Sequence, residues 1–407
     1  MKIQSKIKKI PITVAPMKAC GLLAEQFSMS PPRTPRQALN FLKSVSEDIV
    51  DQDKSVSLQY TSSEEIIRSE ETILSVEPQV DISGTHIQWG AINEKRLRRI
   101  PSASVYEVQN AIVFTICGTV FVLDRNGNII SPSHTKYDLL FGCYDIEINE
   151  IVRNACNGSA GTAALIECDV LSSNYCHWIY DKLSKLGLYN RTGEKLRILA
   201  TNLETKFHTD YVNLLCGLGV EVIELPYDGA VKYDRLLISN TAGENLKHPA
   251  HLGSGWAFEF YDRLITQCGS KTKSPKWVYI GRNDAKYRKL QNEAELVHKL
   301  GDLGVENILL DGMPVERQIE VFHNAELVIA PHGAGLTNCI YMRPGTNLIE
   351  IVGDRHGMAT YRIISEGRGI NYYSYSATNE VTMSPAVFAD IVLNVDDFVA
   401  AFKEYIL

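Results

Sequence analysis

The sequence predicts an α/β protein made of two units that each contain a parallel sheet. Between residues 160 and 240, short apolar segments typical of buried strands alternate with segments of helical period. A second alternation of the same kind begins at Trp277, after the basic stretch 269–276. Strands that alternate with helices are characteristic of parallel sheets with crossover helices. We therefore expect two Rossmann-like halves joined by a linker.

Strand signals also precede the first alternation. Residues 102–130 contain apolar runs separated by short breaks, as in strands joined by tight connections. They predict a small antiparallel β layer that leads into the first half. Residues 1–95 are polar and are interrupted by a Pro-Pro pair at 31–32, so they are expected to form a partly irregular extension.

These patterns predict four segments. The extension covers 1–95, the first Rossmann-like domain covers 96–265, and the second covers 266–383. The remaining residues, 384–407, include a helical pattern at 396–405. They are expected to form a C-terminal helix that packs back on the first domain.

The composition narrows the functional classes. With 407 residues, 45% of them hydrophobic, the chain can bury more than one core. Its 41 basic and 48 acidic side chains give a net charge of -7, which disfavours a general nucleic-acid binder. Any site for an anion must therefore be local. No apolar stretch approaches the roughly 20 residues that a membrane-spanning helix needs.

The expected location is the cytoplasm. The N-terminus, MKIQSKIKKIPITVAP, lacks the apolar region of a secretory signal. Its four lysines form either a solvated tail or a peripheral contact with the inner face of an anionic membrane. The nine cysteines include no C-x-x-C pair, which favours reduced, buried thiols.

The segment A-P-H-G-A-G-L-T-N at 330–338 gives the strongest functional signal. It follows the apolar run 327–329 and precedes a second strand-like run at 347–352. In an open α/β sheet, ligands bind beyond the carboxyl ends of strands, where a loop turns into a helix. Gly333 and Gly335 are expected to adopt positive φ and to let the backbone approach a ligand closely.

The same segment has groups that suit an anion, in particular the phosphates of a nucleotide sugar. A helix that starts after the glycines presents N–H groups and a positive dipole end. His332 can donate to a phosphate oxygen, and Thr337 or Asn338 can add hydrogen bonds. A structural turn with an internally satisfied histidine is the alternative.

A second signal is a cluster of positive charge after the predicted strand at 277–280. Arg282, Lys286, Arg288 and Lys289 bring four basic side chains within eight residues. Guanidinium groups make bidentate contacts with a diphosphate, and an ammonium group adds a point charge. The cluster therefore indicates an anion site, with a solvated charged surface as the alternative.

Glu350 lies inside the apolar strand-like segment 348–352. A carboxylate is costly there unless it has a partner. A ribose diol or a basic side chain such as Arg343 would supply one. The alternative is that Glu350 faces water at a strand edge.

In the first domain, Asn174, His177 and Asp181 are spaced by three and four along a predicted helix. An imidazole beside a carboxylate can deprotonate a hydroxyl, either directly through the carboxylate or through a more basic histidine. The alternative is a helix cap followed by a packed His-Asp pair.

At these positions the chain resembles glycosyltransferase family 61, which includes bacterial capsular polysaccharide biosynthesis proteins and eukaryotic xylosyl- and N-acetylglucosaminyltransferases. The resemblance spans roughly residues 100 to 380. The similar segments are N-Y-C-H-W-I-Y-D at 174–181, Y-I-G-R-N-D-A at 279–285, L-Q-N-E-A-E-L at 290–296, V-I-A-P-H-G-A-G-L-T-N at 328–338, Y-M-R-P-G-T at 341–346 and L-I-E-I at 348–351.

The resemblance implies a GT-B-like fold, in which an acceptor-side domain faces a nucleotide-sugar-binding domain. It also implies an inverting hexosyl- or pentosyltransferase that uses a UDP sugar and no metal, for example in capsular or other surface polysaccharide synthesis. Asp51-Gln52-Asp53 has the D-x-D form of metal-dependent sugar transferases. It lies in a charged segment without an adjacent buried strand, so a surface helix is favoured there.

The family also implies roles for individual residues. Arg282, Lys286 and His332 would hold the diphosphate, and Glu350 would hold the ribose or a supporting basic group. His177 or Asp181 would be the base, with Asn174 on the acceptor side. The full set of expected donor-binding residues is Arg282, Lys286, Arg288, His332, Gly333, Ala334, Gly335, Thr337, Asn338 and Glu350. Where the family usually has a pair of arginines, this chain has Arg282-Asn283. The sequence therefore does not specify which basic side chain contacts the phosphate.

The predicted partners are a nucleotide sugar and a glycan or glycolipid acceptor, and not nucleic acid. The donor sugar, the acceptor and the oligomeric state are not predicted. Two other functions fit the same architecture. A sugar-nucleotide epimerase would act without an acceptor, and a catalytically decayed protein would bind a nucleotide sugar without turnover. The presence of both His177 and Asp181 argues against the decayed protein.

Overall fold

The computed structural model describes residues 56–61, 65–75, 92–100, 103–116, 119–125, 154–157, 162–166, 173–226, 229–239, 254–269, 274–282, 285, 287–354, 360–379 and 389–407. The chain divides into two compact units. The first contains Met1–Ser63 and Ser102–Leu246, and the second contains Glu64–Pro101 and Lys247–Leu407. Each unit combines a sheet with helices, so the protein is of the α/β class.

The described strands are β1 (Val56–Thr61), β2 (Glu65–Ser75), β3 (Ile92–Ile100), β4 (Ser104–Ile116), β5 (Thr119–Leu123), β6 (Cys156–Asn157), β7 (Thr162–Leu165), β8 (Arg197–Ala200), β9 (Glu221–Glu224), β10 (Gly229–Ser239), β11 (Trp277–Ile280), β12 (Glu306–Ile308), β13 (Leu327–Pro331), β14 (Asn347–Gly353), β15 (Asn371–Asn379) and β16 (Ile391–Val392).

The described helices are α1 at 175–189, α2 (Lys206–Gly217), α3 (Gly255–Cys268), α4 (Glu293–Gly301), α5 (Val315–Asn324), α6 (Thr360–Arg368) and α7 (Val395–Tyr405), with 3-10 segments at Asn190–Thr192 and Ala334–Tyr341. Helix α1 is continuous but changes its winding. It is α-helical over Tyr175–His177, π-helical over Trp178–Leu183 and α-helical again over Lys185–Tyr189.

The sheet of the first unit is mixed. Among the described strands its order is β1-β4-β10-β7-β8-β9, with β5 beside β4 and β6 beside β10. The parallel strands β7, β8 and β9 alternate with α1 and α2, as predicted. Strands β4 and β5 belong to this same sheet and do not form a separate small layer. Because the consecutive residues 111–114 of β4 are all buried, both faces of this strand are covered and it lies inside the sheet.

The sheet of the second unit has the described order β12-β11-β13-β14-β15-β2-β3, with β16 beside β15. Strands β11 to β15 are parallel to one another, and β2 adds to this sheet in parallel with β15. Strand β3 pairs antiparallel with β2. This pairing explains why residues 64–101 belong to the second unit, whereas the predicted segments assign them to the extension and the first domain.

The helices α3 and α7, near the two ends of the segment Lys247–Leu407, also belong to this unit. Helix α3, which the predicted boundary after residue 265 divides between the two domains, brings Tyr261 against Tyr341, with ring centroids 5.7 Å apart. In α7, the fully buried Phe398 and Phe402 lie four residues apart on one face. Their rings contact Tyr375 and Trp277 of the second sheet. The C-terminal helix therefore packs in the core of the second unit, which differs from the predicted packing on the first domain.

Three parallel strands, β11, β13 and β14, lie side by side and end at the same edge of the second sheet. Pro331 of β13 pairs with Ile351 of β14, and the next residue, His332, donates its N–H to the carbonyl of Ile351 at 2.9 Å. The residues that follow β11 and β13 thus lie at the carboxyl edge, where α/β sheets bind ligands.

The start of α4 is held to the C-terminal segment of the chain by Asn292. Asn292 precedes the helix, but its side chain makes no cap hydrogen bond. Its amide instead donates to the carbonyl of Leu393 at 2.7 Å and accepts from the Leu393 N–H at 3.1 Å. Asn292 therefore joins α4 to the C-terminal segment.

Candidate functional site

The predicted loop at 332–335 lies at the carboxyl end of β13 and leads into the 3-10 segment. His332 is nearly buried, and its Nδ1 donates to Glu350 Oε1. The second carboxylate oxygen of Glu350 accepts from the Tyr372 hydroxyl at 2.6 Å. The side chain of Glu350 is only 2% exposed. Glu350 therefore serves as a buried anchor for the His332 ring.

This arrangement corrects the expected partner of Glu350. Arg343 does not pair with it, since Arg343 Nη2 donates to the carbonyl of Asn324 at 3.4 Å. Both carboxylate oxygens are engaged within the protein, since one accepts from His332 and the other from Tyr372. The parallel strands β13, β14 and β15 bring these three side chains together.

Helix α6 supports the same loop from another direction. The Tyr361 hydroxyl donates to the carbonyl of Gly333 at 2.6 Å. The Tyr361 ring also lies against the His332 ring, with centroids 5.0 Å apart. The loop is thus held on both sides of the Cα of Gly333.

The glycines of the loop make room for side chains of the protein. A Cβ at position 333 would lie 1.5 Å from Arg282 Nη1, so the guanidinium occupies the space over Gly333. A Cβ at position 335 would lie 2.8 Å from Leu310 Cδ1. The φ of Gly333 is 179°, which is extended, and Gly335 is not among the described glycines with positive φ. The expectation of positive φ at both glycines is therefore wrong, since what they provide is space.

Arg282 is fixed through both its backbone and its side chain. Its N–H donates to Glu293 Oε1 at 2.8 Å, and its Nη2 donates to the carbonyl of Tyr287 at 3.1 Å. Of the other predicted cations, Arg288 is partly buried with a left-handed backbone at φ 57°. Lys286 lies outside the described residues. The structure thus brings Arg282 onto the loop of His332.

The 3-10 segment begins with Ala334 and Gly335, which are partly exposed. Thr337 and Asn338 are fully buried. The Asn338 amide donates to Gln318 Oε1 at 2.9 Å and to the carbonyl of Gly335 at 3.0 Å. Asn338 therefore holds the segment to α5, and Thr337 Oγ1 has no hydrogen-bond partner within the described part of the chain.

The first unit brings together the predicted His-Asp pair. His177 Nδ1 donates to Asp181 Oδ2 at 2.6 Å, and the two side chains are 18% and 24% exposed. A one-turn spacing on α1 holds them on the same side of the helix. With Nδ1 used in this way, a ligand would meet the ring through Nε2. The pair is therefore accessible and oriented.

Asn174 lies at the start of the same helix. Its side chain accepts from the Cys176 N–H at 3.0 Å, and it is the N-cap of α1. Side-chain oxygens at this position satisfy helix N–H groups that lack an intrahelical partner. Asn174 thus orients the turn that precedes His177.

Four residues of the site were missed by sequence reasoning. They are Tyr287, Glu293, Tyr361 and Tyr372. For Glu293 a signal existed, because its spacing to Leu296 and Leu300 places it on the buried face of α4. Hydroxyls such as those of Tyr361 and Tyr372 have no comparable signal, since their partners are distant in sequence.

Glu293 also interacts with the buried Tyr279 of β11. The Tyr279 hydroxyl donates to Glu293 Oε1 at 2.8 Å. Burial and the neighbouring Glu293 carboxylate raise the pKa of Tyr279 well above its usual value. The phenol is therefore a neutral donor to the carboxylate at physiological pH.

Within the described ranges, no three His, Cys, Asp or Glu side chains converge as a metal site. Asp51-Gln52-Asp53 lies outside the described residues.

The described cysteines are all free. Cys268 and Cys339 are buried, Cys176 is partly exposed, and Cys156 and Cys216 are exposed, so the expectation of buried thiols holds for only some of them. No described helix has the length and apolar character needed to cross a membrane.

A protein-family model matches the central part of the chain. The model of the family "Glycosyltransferase 61" matches residues 175–349. The match begins at α1, which carries His177 and Asp181, and ends within β14, one residue before Glu350. It therefore includes residues of both units.

Three relatives share parts of this region. A beta-1,2-xylosyltransferase from Arabidopsis thaliana is 27% identical over 142 residues, or 35% of this chain and 23% of that protein. The EGF domain-specific O-linked N-acetylglucosamine transferase of Bos taurus is 27% identical over 124 residues, or 29% and 23%. A second beta-1,2-xylosyltransferase, from Oryza sativa subsp. japonica, is 29% identical over 72 residues, or 18% and 14%. The matched part thus spans less than a quarter of each relative.

Among solved structures, a metal-soaked Flv1 flavodiiron core from Synechocystis aligns over 74% of this chain and 96% of that one, with 9% identity and a TM-score of 0.19. A likeness this weak does not bear on the fold.

Proposed function

We propose that the protein transfers a sugar from a nucleotide-sugar donor to a hydroxyl of a glycan, because residues 175–349 match the glycosyltransferase 61 family. The donor is a UDP sugar, the transfer inverts the anomeric configuration, and no metal takes part. The two units act as the acceptor-side and donor-side halves of a GT-B-like enzyme. The acceptor is a surface polysaccharide or its glycolipid precursor, made at the cytoplasmic side of the membrane.

The observation that supports a donor site most directly is the meeting of Arg282 and His332 at Gly333. The guanidinium lies over Gly333, and the His332 ring is held by Glu350 on the adjacent strand. Both groups lie at the carboxyl edge of a parallel sheet. In this proposal Arg282 donates hydrogen bonds to the diphosphate of the donor, and His332 donates to it through Nε2 as an imidazolium, with Nδ1 donating to Glu350.

The chemistry requires stabilisation of the leaving group. The acceptor oxygen forms a bond to the anomeric carbon while the bond from that carbon to the diphosphate oxygen breaks. The departing diphosphate keeps the electron pair and gains negative charge. Fixed donors that are already in place lower this barrier, because they do not have to reorganise during the reaction. Arg282 and His332 are such donors, since each is held by further hydrogen bonds.

The acceptor hydroxyl loses its proton to the His177-Asp181 pair. The hydrogen bond of 2.6 Å between them orients the imidazole, and both side chains are partly exposed. Either the carboxylate takes the proton directly or the imidazole takes it through Nε2 with Asp181 behind it. A base on one unit and a donor site on the other require both units for turnover.

The donor assignment is tested by measuring thermal unfolding of the purified protein with a panel of nucleotide sugars. UDP-xylose and UDP-N-acetylglucosamine head the panel, because the named relatives transfer xylose and N-acetylglucosamine. GDP and CMP sugars are the controls. A donor at 100 times its Kd stabilises the native state by about 2.7 kcal/mol, so the midpoint rises.

The same panel of nucleotide sugars can also contradict the donor assignment. Stabilisation by GDP sugars alone would replace the uridine assignment, and stabilisation by no nucleotide sugar would overturn the proposed function. A UDP sugar that is converted to its epimer without any acceptor would identify an epimerase. Arg282→Ala is expected to weaken the stabilisation by the UDP sugar.

A further inference from the structure

Glu293 connects the start of α4 to the end of β11. It is the first residue of α4 and is only 2% exposed. A single oxygen, Oε1, accepts from the Tyr279 hydroxyl within β11 and from the N–H of Arg282 just after it, each at 2.8 Å. The intervening Gly281 donates its N–H to the carbonyl of Ile308 on β12 at 2.9 Å. The backbone that leads to Arg282 is therefore held from both sides.

The position of the carboxylate is costly for folding alone. A buried carboxylate loses its hydration and needs hydrogen bonds in return. Oε1 has two donors, but Oε2 is buried and has no hydrogen-bond partner within the described part of the chain. A buried acceptor in that state destabilises the native protein. An apolar side chain at 293 would pack α4 against the sheet without this cost. Packing alone therefore does not explain a carboxylate at this position.

The carboxylate of Glu293 determines the position of the Arg282 side chain. The direction of a side chain follows from the backbone at its Cα, and Glu293 fixes that backbone through the N–H. The guanidinium then lies over Gly333 and donates to the carbonyl of Tyr287. A shift of the Arg282 backbone would move the guanidinium away from the loop of His332.

We propose that Glu293 is a positioning residue, which aims Arg282 at the diphosphate of the donor by holding the Arg282 N–H. This inference rests on the proposed function. Glu293 does not touch the donor, because its carboxylate is enclosed by the protein. Its loss therefore acts through Arg282 and weakens binding of the nucleotide, while the acceptor side is unaffected.

The experiment measures binding of UDP by calorimetry, and the KM values for donor and acceptor, in Glu293→Ala and Glu293→Gln. In Glu293→Ala the Kd for UDP and the donor KM are expected to rise about tenfold, since small displacements of a positioned group have effects of this size or larger. The acceptor KM stays within twofold of wild type. Glu293→Gln retains an Oε1 acceptor for the Arg282 N–H and is expected to recover most of the affinity.

The matched control is Asn292→Ala. Asn292 adjoins Glu293, but its hydrogen bonds go to Leu393. This variant loses stability at the start of the same helix and is expected to leave the Kd for UDP unchanged. Should Glu293→Ala not fold, Glu293→Asp replaces it, because a side chain shorter by one methylene cannot reach the Arg282 N–H in the same geometry.

The outcomes separate this inference from the proposed function. If wild type binds UDP and Glu293→Ala or its replacement binds as tightly, the positioning role is overturned and the donor site stands. The role is also overturned if donor and acceptor constants change together, or if Asn292→Ala loses as much affinity, since general destabilisation would explain either result. If wild type binds no UDP and no nucleotide sugar, the proposed function fails and this inference with it.

Discussion

At the scale of single residues, the loop at 332–335 is defined by what lies over its glycines. Gly333 has an extended backbone, so its φ alone does not call for glycine. The Arg282 guanidinium fills the space where a side chain would be. Glycine at 333 and arginine at 282 are therefore a matched pair, although 51 positions separate them.

This pairing predicts the effect of Gly333→Ala. Its Cβ would lie 1.5 Å from Arg282 Nη1, so the guanidinium must move away from the loop. The extended backbone accepts alanine, and the unfolding midpoint should fall only slightly. We expect the Kd for UDP to rise by about tenfold or more, as judged by calorimetry.

Gly335→Ala is the control for that substitution. Its Cβ would meet Leu310 Cδ1 at 2.8 Å, and this atom is the end of a flexible, partly exposed side chain. A small rotation of Leu310 relieves the contact and leaves the Arg282 guanidinium in place, so the affinity for UDP should fall less than in Gly333→Ala. Equal losses in the two variants would show that the loop, and not Arg282, determines binding.

At the scale of elements, α1 determines how the proposed base is presented. The helix begins at a capped turn, with Asn174 accepting from the Cys176 N–H. His177 ends the α-helical part, and Asp181 lies in the π-helical part that follows. Their hydrogen bond crosses the point where the winding changes. π-Helical turns within helices are frequent at functional sites.

The role of this element is tested with His177→Ala and Asp181→Asn. Each is expected to reduce transfer, measured as UDP released in the presence of acceptor, by at least about a hundredfold. The Kd for UDP should stay within a few fold, because the donor groups belong to the other unit. Loss of UDP binding in step with loss of transfer would assign the pair to folding.

At the scale of the whole molecule, each unit has a hydrophobic core of its own. A core cluster of the first unit includes Val108, Leu199 and Leu236. A core cluster of the second includes Ile329 from the sheet and Phe398 from the C-terminal helix. The last helix therefore contributes to the stability of the unit that carries the proposed donor site.

Phe398→Ala tests this assignment. The residue is fully buried against Tyr375, and removal of a buried phenylalanine ring costs about 3–5 kcal/mol. We expect hydrogen exchange, followed by mass spectrometry, to accelerate in the second unit and to stay unchanged in the first. Faster exchange in peptides of the first unit, such as those of β7 and β8, would contradict it.

Much of this architecture was predictable because the signals are local. Alternating apolar and helical segments predicted the α/β class, and the glycine-rich segment predicted a loop at the end of β13. The same locality explains the errors. Strand β2 joins β15, which is about 300 positions away in sequence, and no periodicity in either segment encodes that pairing.

The residue pattern alone predicted the α/β class, the succession of strands and helices along the chain and the place of the candidate loop, and residues 175–349 match the glycosyltransferase 61 model. The side chains that meet at this loop are set by the packing of the sheet. Glu350 pairs with His332 and Tyr372, and Glu293 holds Arg282. Such contacts depend on the order and register of strands, which arise when the whole sheet is assembled. Local patterns reveal the presence of charged groups, and the packed sheet determines their partners.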